Sequence, residues 1–108
     1  MRRVEVMRNR EPVGVLTEEN PSRYIFRYYD QYYSDSTKPS ISLTLAKTQQ
    51  EYISDHLFPF FFNMLAEGVN RKLQCRIFKI DETDHFGLLA ATAQFDTIGA
   101  ITVKALTI

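Results

Sequence analysis

The 108-residue sequence has one cysteine, no tryptophan and four glycines, none of which is close to another. Cys75 alone can form neither an internal disulfide nor a thiolate zinc site, and its helical surroundings are more typical of a packing residue than of a nucleophile. A phosphate-binding loop needs closely spaced glycines, so the isolated Gly14, Gly68, Gly87 and Gly99 exclude such a loop. A single thiol also fits a reducing compartment.

An excess of charge of one sign is also lacking. The 13 Lys and Arg residues equal the 13 Asp and Glu residues, and the formal net charge is zero. A protein that binds DNA or RNA through phosphates is expected to carry a clear excess of Lys and Arg, so we expect no direct nucleic-acid partner. The densest apolar run, Leu57 to Leu65, is too short to cross a bilayer, and no signal peptide is visible after Met1. We therefore expect a soluble, cytoplasmic domain with no membrane partner.

Groups that could perform chemistry are scattered along the chain. His56 and His85 are far apart, and neither has a second His or Cys at the spacing of a metal site. The acidic pairs Glu18-Glu19 and Asp81-Glu82 lie in predicted turns, where nothing indicates a cleft that would perturb their pKa values. The sequence therefore predicts no catalytic residue, no metal and no cofactor, and we expect a protein that is not an enzyme.

The hydrophobic pattern predicts an α+β fold in a single domain, residues 1–108. Alternating and aromatic residues predict an antiparallel meander with strands at 3–7, 13–17 and 24–29. Residues 30–40 are polar and predict a surface loop, whereas Ile41 to Leu45 alternate and predict a short strand or an extended segment. Helical periodicity then predicts three helices, the first at 54–67, the second at 70–78 and the third from the break at 81–84 through Ala93. Residues 97–103 predict a last strand. We expect a small antiparallel sheet, made of the meander and the C-terminal strand, packed against about three helices.

The predicted helix at 54–67 is unusually apolar. Its apolar side chains cover an arc of roughly 200°, whereas a helix that lies on one sheet needs a stripe little wider than about 100°. The predicted second helix, which has Leu73, Ile77 and Phe78 to one side, could cover the excess together with the third helix. Alternatively, Phe58 and Phe62 face another protein, because leaving a Phe in water forgoes roughly 1.5–3 kcal/mol of burial.

Six segments, in order and with compatible spacing, resemble the N-terminal subdomain of HipA-like kinases. The segments are Val13-Gly14-Val15-Leu16-Thr17, Tyr24-Ile25-Phe26-Arg27-Tyr28, Pro39-Ser40-Ile41-Ser42-Leu43-Thr44-Leu45, Phe60-Phe61-Phe62-Asn63-Met64-Leu65-Ala66-Glu67-Gly68, Asp84-His85-Phe86-Gly87-Leu88-Leu89 and Asp96-Thr97-Ile98-Gly99-Ala100-Ile101. The resemblance covers nearly the whole chain. It implies the α+β subdomain that precedes the kinase core in those toxins.

The sequence ends where the kinase core of these proteins begins, so the resemblance implies a free-standing, HipS-like subunit of a bacterial toxin–antitoxin system. Such an antitoxin-like subunit binds a HipA/HipT-type serine/threonine kinase and restrains it. A HipB-like DNA-binding protein would be the further partner in that complex. The alternative is an activating or structural subunit that completes a split HipA-like kinase.

The residues expected to contact the kinase follow from this resemblance together with the apolar arc of the central helix. We expect the contact from the loop at residues 67–71 and from the exposed edge of the central helix. The residues concerned are Phe58, Phe62, Glu67, Gly68, Val69, Asn70 and Arg71. The family commonly has a proline before the Glu-Gly pair and a bulky aromatic after it, where this chain has Ala66 and Val69. A smaller side chain therefore stands at the expected contact loop.

Overall fold

A computed structural model describes residues 1–65, 68–92 and 100–107 of the chain. Five strands form one antiparallel sheet in the order β4-β3-β2-β1-β5, and they are β1 (Arg2–Arg8), β2 (Glu11–Asn20), β3 (Arg23–Tyr28), β4 (Glu51–Ser54) and β5 (Ile101–Thr107). The helices of the described residues are α1 (Asp30–Ser34), α2 (Pro59–Phe62), α3 (Gly68–Phe78) and α4 (His85–Thr92). The predicted α+β class, with a meander and a C-terminal strand in one sheet, is confirmed.

The meander forms because its inward positions are apolar and its turns have suitable residues. Val4 and Val6 of β1 are fully buried, and Tyr24, Phe26 and Tyr28 of β3 join the same core at alternate positions. In the β1–β2 turn, the two central residues have φ angles of 49° and 68°, the left-handed conformation that a tight hairpin needs. Strand β5 pairs with the free edge of β1, and this pairing places Thr107 opposite Arg3.

Gly14 allows β2 and β3 to approach each other closely. A Cβ atom added at Gly14 would overlap the backbone carbonyl oxygen of Arg27, which belongs to the neighbouring strand. Only the smallest residue fits at this point of the sheet, so Gly14 has a packing role.

The segment after β3 differs from the prediction. The expected surface loop at 30–40 contains α1. The short strand or extended segment expected from Ile41 to Leu45 is wrong for its second half, since residues Leu43–Leu45 form a 3-10 turn. Ile41 and Leu45 are buried, whereas Leu43 is 98% exposed. The alternation therefore reflects burial of every second side chain in a segment that pairs with no strand among the described residues. The real edge strand is β4, ten residues after Ile41.

The predicted helix at 54–67 is also wrong. Ser54 ends β4, and α2 has only four residues, with Pro59 in its first turn. Leu57 and Phe58 enter the core before this short helix, and Met64 and Leu65 enter it afterwards through a turn. Most of the apolar bulk is thus enclosed by the chain's own fold, since Phe61 is fully buried and Phe58 is only 8% exposed. Phe58 is a core residue and does not lie on a surface that a partner could touch.

The later helices agree better with the sequence pattern. The helix predicted at 70–78 is confirmed as α3, although Gly68, expected to end the preceding helix, begins it with a φ of 58°. At the other end of α3, Lys79 has a φ of 56° and the Ile80 amide donates to the Cys75 carbonyl at 2.9 Å, a Schellman-type stop. The predicted third helix is α4, and its expected extension to Ala93 lies outside the described residues. The last strand begins at Ile101, and residues 97–99 of the prediction also lie outside them.

Candidate docking surface on α3

Helix α3 presents several apolar side chains to solvent. Val69, Leu73 and Ile77 are 73%, 47% and 70% exposed. Steps of four residues rotate a side chain by only about 40° around a helix, so these three residues lie along one side of α3. We call Val69, Leu73 and Ile77 the α3 stripe.

The opposite side of α3 faces the domain. Cys75 is the buried residue of this helix, and it lies two positions from Leu73, about 160° away around the axis. A helix on the surface of a globular protein ordinarily turns its apolar side inward. Helix α3 instead packs through a small cysteine and leaves the three residues of the stripe exposed, together with the terminal Phe78. Covering such side chains is worth roughly 1.5–3 kcal/mol each, so the α3 stripe is suited to contact another protein.

The two edges of the α3 stripe differ in charge. Lys72 and Arg76 are exposed along one edge, and Asn70 and Gln74 follow the other. Helix α3 contains no acidic residue. Within the described part of the chain, neither Lys72 nor Arg76 takes part in an ion pair. One edge of the α3 stripe therefore carries two exposed cations that form no ion pair among the described residues.

Phe62 at the end of α2 is the exposed phenylalanine of the aromatic segment, with 36% of its surface in contact with solvent. Its ring meets the His85 ring edge-on at a centroid distance of 5.0 Å. The Arg71 guanidinium lies 5.5 Å from the centroid of the same ring, within the range of a cation–π contact. Arg71 and Leu73 are about 160° apart on α3, so Phe62 and the α3 stripe face different directions.

A family model for the HipA N-terminal domain matches residues 4–104, almost the entire chain. This chain belongs to the HipA N-terminal domain family. A curated relative, "Putative kinase Y4dM" of Sinorhizobium fredii, is 32% identical over 99 residues, which are 86% of this chain. The match covers 24% of that relative's length, so the chain spans about a quarter of it. A solved structure, described as the N-terminal domain of HipA toxin, superimposes with a TM-score of 0.71 at 24% identity and covers 99% of this chain and 94% of its own. That likeness shows the HipA N-terminal fold.

For this HipA N-terminal domain, the structure distributes the expected contact residues over several environments. Gly68, Val69 and Asn70 are exposed at the start of α3, and Arg71 is half-buried against Phe62. Glu67 lies outside the described residues. The sequence prediction omitted Leu73 and Ile77 from the contact. Periodicity shows that they share a side of the helix, but it does not show which side of that helix faces the core.

A separate cleft of about 770 Å³ is lined by residues that include Arg2, Glu18, His56, Asp84 and His85. The Arg2 guanidinium donates to Glu18 Oε1 at 2.6 Å and to Asp84 Oδ1 at 2.8 Å. The hydrogen bond from Arg2 is the main reason that the pKa of Asp84 is lowered. The charged groups between β1, β2 and α4 are thus paired with one another, as expected of a structural ion cluster.

The described residues contain no group of three or more His, Cys, Asp or Glu side chains arranged to hold a metal ion. No helix among them is long and apolar enough to cross a membrane.

Proposed function

We propose that this domain is a non-catalytic, antitoxin-like subunit that binds a separate HipA/HipT-type serine/threonine kinase and restrains it. The observation that supports this most is the α3 stripe. A domain that forms the N-terminal part of larger proteins keeps an apolar face for the rest of the protein, and the same face can serve a partner encoded separately. Val69 belongs to both the expected contact loop at residues 67–71 and the α3 stripe, so one surface would satisfy both arguments.

The chemistry of the described residues favours a binding role over a catalytic one. Burial raises the pKa of the Cys75 thiol, so the sulfur is protonated at neutral pH and is a poor nucleophile. His56 pairs with the adjacent Asp55, and Arg2, Glu18 and Asp84 pair among themselves. We therefore propose that catalysis resides in the partner kinase. In this proposal the complex acts in the cytoplasm, and a HipB-like protein, not this chain, contacts DNA.

The proposal is tested by co-purifying the domain with its candidate kinase and measuring autophosphorylation with and without it. A variant that combines Val69→Asp with Leu73→Asp should lose binding and release the kinase. The matched control is Leu43→Asp, because Leu43 is a leucine exposed in the 3-10 turn outside α3. Unchanged kinase activity in the presence of excess domain would contradict a restraining role.

A second function, an activating or structural subunit that completes a split kinase, is favoured by one finding. The curated relative carries this region within a chain about four times as long, so the domain can be a constitutive part of a larger protein. The same α3 surface would then complete the kinase. The autophosphorylation assay separates the two functions, since a subunit that completes the kinase raises its activity and an antitoxin lowers it.

A further inference from the structure

We infer that the element covering the α3 stripe is an amphipathic helix of the partner, with apolar residues on one side and a row of Asp or Glu along one edge. This inference rests on the proposed function, because it names the kind of surface that the partner must present. It concerns a different observation, namely the charge and shape of α3, and it can fail while the proposed function stands.

The shape of the α3 stripe favours a helix as its occupant. Its three side chains form a straight ridge about 12 Å long, since a helix rises about 1.5 Å per residue. Ridges of residues four apart fit the grooves between similar ridges on a second helix. The backbone N–H and C=O groups inside α3 are used by the helix itself, so a strand has no backbone groups to pair with there.

The charge beside the α3 stripe indicates what kind of helix the partner presents. Lys72 and Arg76 are four residues apart, so they project from the same edge on successive turns. Acidic residues with the same spacing on a partner helix would meet both cations, as the flanking charges do in paired helices. Asn70 and Gln74 on the other edge impose no charge. The complementary helix is therefore acidic along one edge only.

A second copy of this chain is a poorer occupant. Helix α3 has no carboxylate, so another α3 would bring more positive charge and nothing to neutralise Lys72 and Arg76. A symmetric α3–α3 contact would therefore leave this edge without complementary charge.

The test uses the purified complex of the full domain with its kinase. The variant Lys72→Glu/Arg76→Glu should weaken binding by about tenfold or more at low salt, because exposed charge pairs are strongest there. The deficit should shrink as salt is raised. The control Arg10→Glu/Lys104→Glu makes the same change of charge at exposed positions outside α3 and should bind as the parent does. Circular dichroism of each variant would show that the helix content is retained.

Zero-length carbodiimide cross-linking then identifies the facing carboxylates, since it joins a lysine amine directly to an acid that touches it. We expect Lys72 to be linked to Asp or Glu on a helical segment of the kinase, and reversal of that acid to Lys should restore binding to the Lys72→Glu/Arg76→Glu variant. Links from Lys72 to a non-helical segment, or full binding by that variant, would overturn the inference. If Leu73→Asp abolishes binding while Lys72→Glu/Arg76→Glu does not, the docking role survives and the acidic helix is wrong. If the parent domain does not bind the kinase, the proposed function itself fails.

Discussion

Arg2, the first residue of β1, donates hydrogen bonds to both carboxylate oxygens of Asp84, with donor–acceptor distances of 3.0 and 2.8 Å. Asp84 is the residue that caps α4. Asp84 Oδ1 also accepts a hydrogen bond from the Gly87 amide, as an N-cap does. Two residues separated by 82 positions thereby fix the sheet to the start of the last helix. A Cβ at Gly87 would overlap the Asp84 carboxylate, so the cap also needs the glycine.

Asp84→Asn should destabilise the domain by about 1 kcal/mol at pH 7, a value reduced for the partial exposure of both partners. The pKa of Asp84 is lowered chiefly by its hydrogen bond from Arg2, so the carboxylate contributes stability above its unfolded pKa. That contribution is lost as the pH falls through the lowered folded pKa. Urea unfolding at pH 7 and near pH 2 should therefore show a difference between parent and variant that shrinks in acid.

The matched control for Asp84→Asn is Glu19→Gln, which removes the ion pair to Arg23 on the exposed end of β2. Exposed pairs contribute little, so its effect should stay below about 0.5 kcal/mol. An equal loss of stability in both variants would refute a special role for the Arg2–Asp84 pair.

Tyr28→Phe should destabilise the domain by about 1–3 kcal/mol, because two buried backbone groups would lose their partner. The Tyr28 hydroxyl donates to the Leu45 carbonyl and accepts from the Ile41 amide at 3.1 Å. Burial raises the pKa of Tyr28 to about 12, consistent with a phenol that stays protonated in the core. Thermal unfolding measures the effect.

A suitable comparison is Tyr33→Phe, since the Tyr33 hydroxyl makes no hydrogen bond within the described residues. Stability should be nearly unchanged in that variant. If Tyr28→Phe is equally harmless, the 3-10 turn is not held by the phenol.

Gly14→Ala should be far more damaging than Gly68→Ala, for two distinct physical reasons. At Gly14 the added methyl overlaps the Arg27 carbonyl, and forcing β2 and β3 apart should cost about 3 kcal/mol. At Gly68 there is open space around the position, and the cost is only that of a left-handed φ, about 1 kcal/mol. Chemical denaturation of the two alanine variants would test the ranking, and a reversed order would contradict it.

Ile77→Ser should change the stability of the isolated domain by less than about 0.5 kcal/mol, because Ile77 is largely exposed. Phe61→Ala should cost about 3–5 kcal/mol, since that ring is fully buried. In the kinase-binding assay, Ile77→Ser should weaken binding, whereas Phe61→Ala should still bind when it is tested below its unfolding temperature. A large stability loss in Ile77→Ser would mean that the α3 stripe belongs to the core.

The elements that the sequence predicted well are those in which pattern and burial coincide. Val4 and Val6 alternate with charged residues, and the run from Tyr24 to Tyr28 is rich in aromatic and β-branched residues, so β1 and β3 follow directly. Asp81 to Asp84 marked the break between α3 and α4 because short polar side chains and a cap end one helix and start the next.

The errors arose where long-range contacts decide the local structure. The run from Leu57 to Leu65 contains enough apolar residues for a helix, but Pro59 restricts α2 to a start there, and the core accepts Leu57, Met64 and Leu65 from irregular backbone. In the Ile41–Leu45 segment, the Ile41 amide and the Leu45 carbonyl form hydrogen bonds with the Tyr28 hydroxyl instead of with a neighbouring strand. No property of residues 41–45 alone reveals that partner.

The candidate surface was predicted only in part, for a related reason. The family resemblance predicts Val69 as a contact residue, whereas the sequence pattern predicts Leu73 and Ile77 as core residues of an amphipathic helix. Which side of α3 faces the sheet depends on how α3 packs against α4, and that packing is not a local property.

Because Thr107 lies opposite Arg3 on neighbouring strands, positions 3 and 107 meet at one side of the sheet. A few flexible residues could join them, and a new opening could be cut in the exposed β2–β3 turn at Pro21 and Ser22. A circularly permuted version of this kind would carry a fluorescent reporter away from α3, and kinase engagement could be followed without altering a single contact residue.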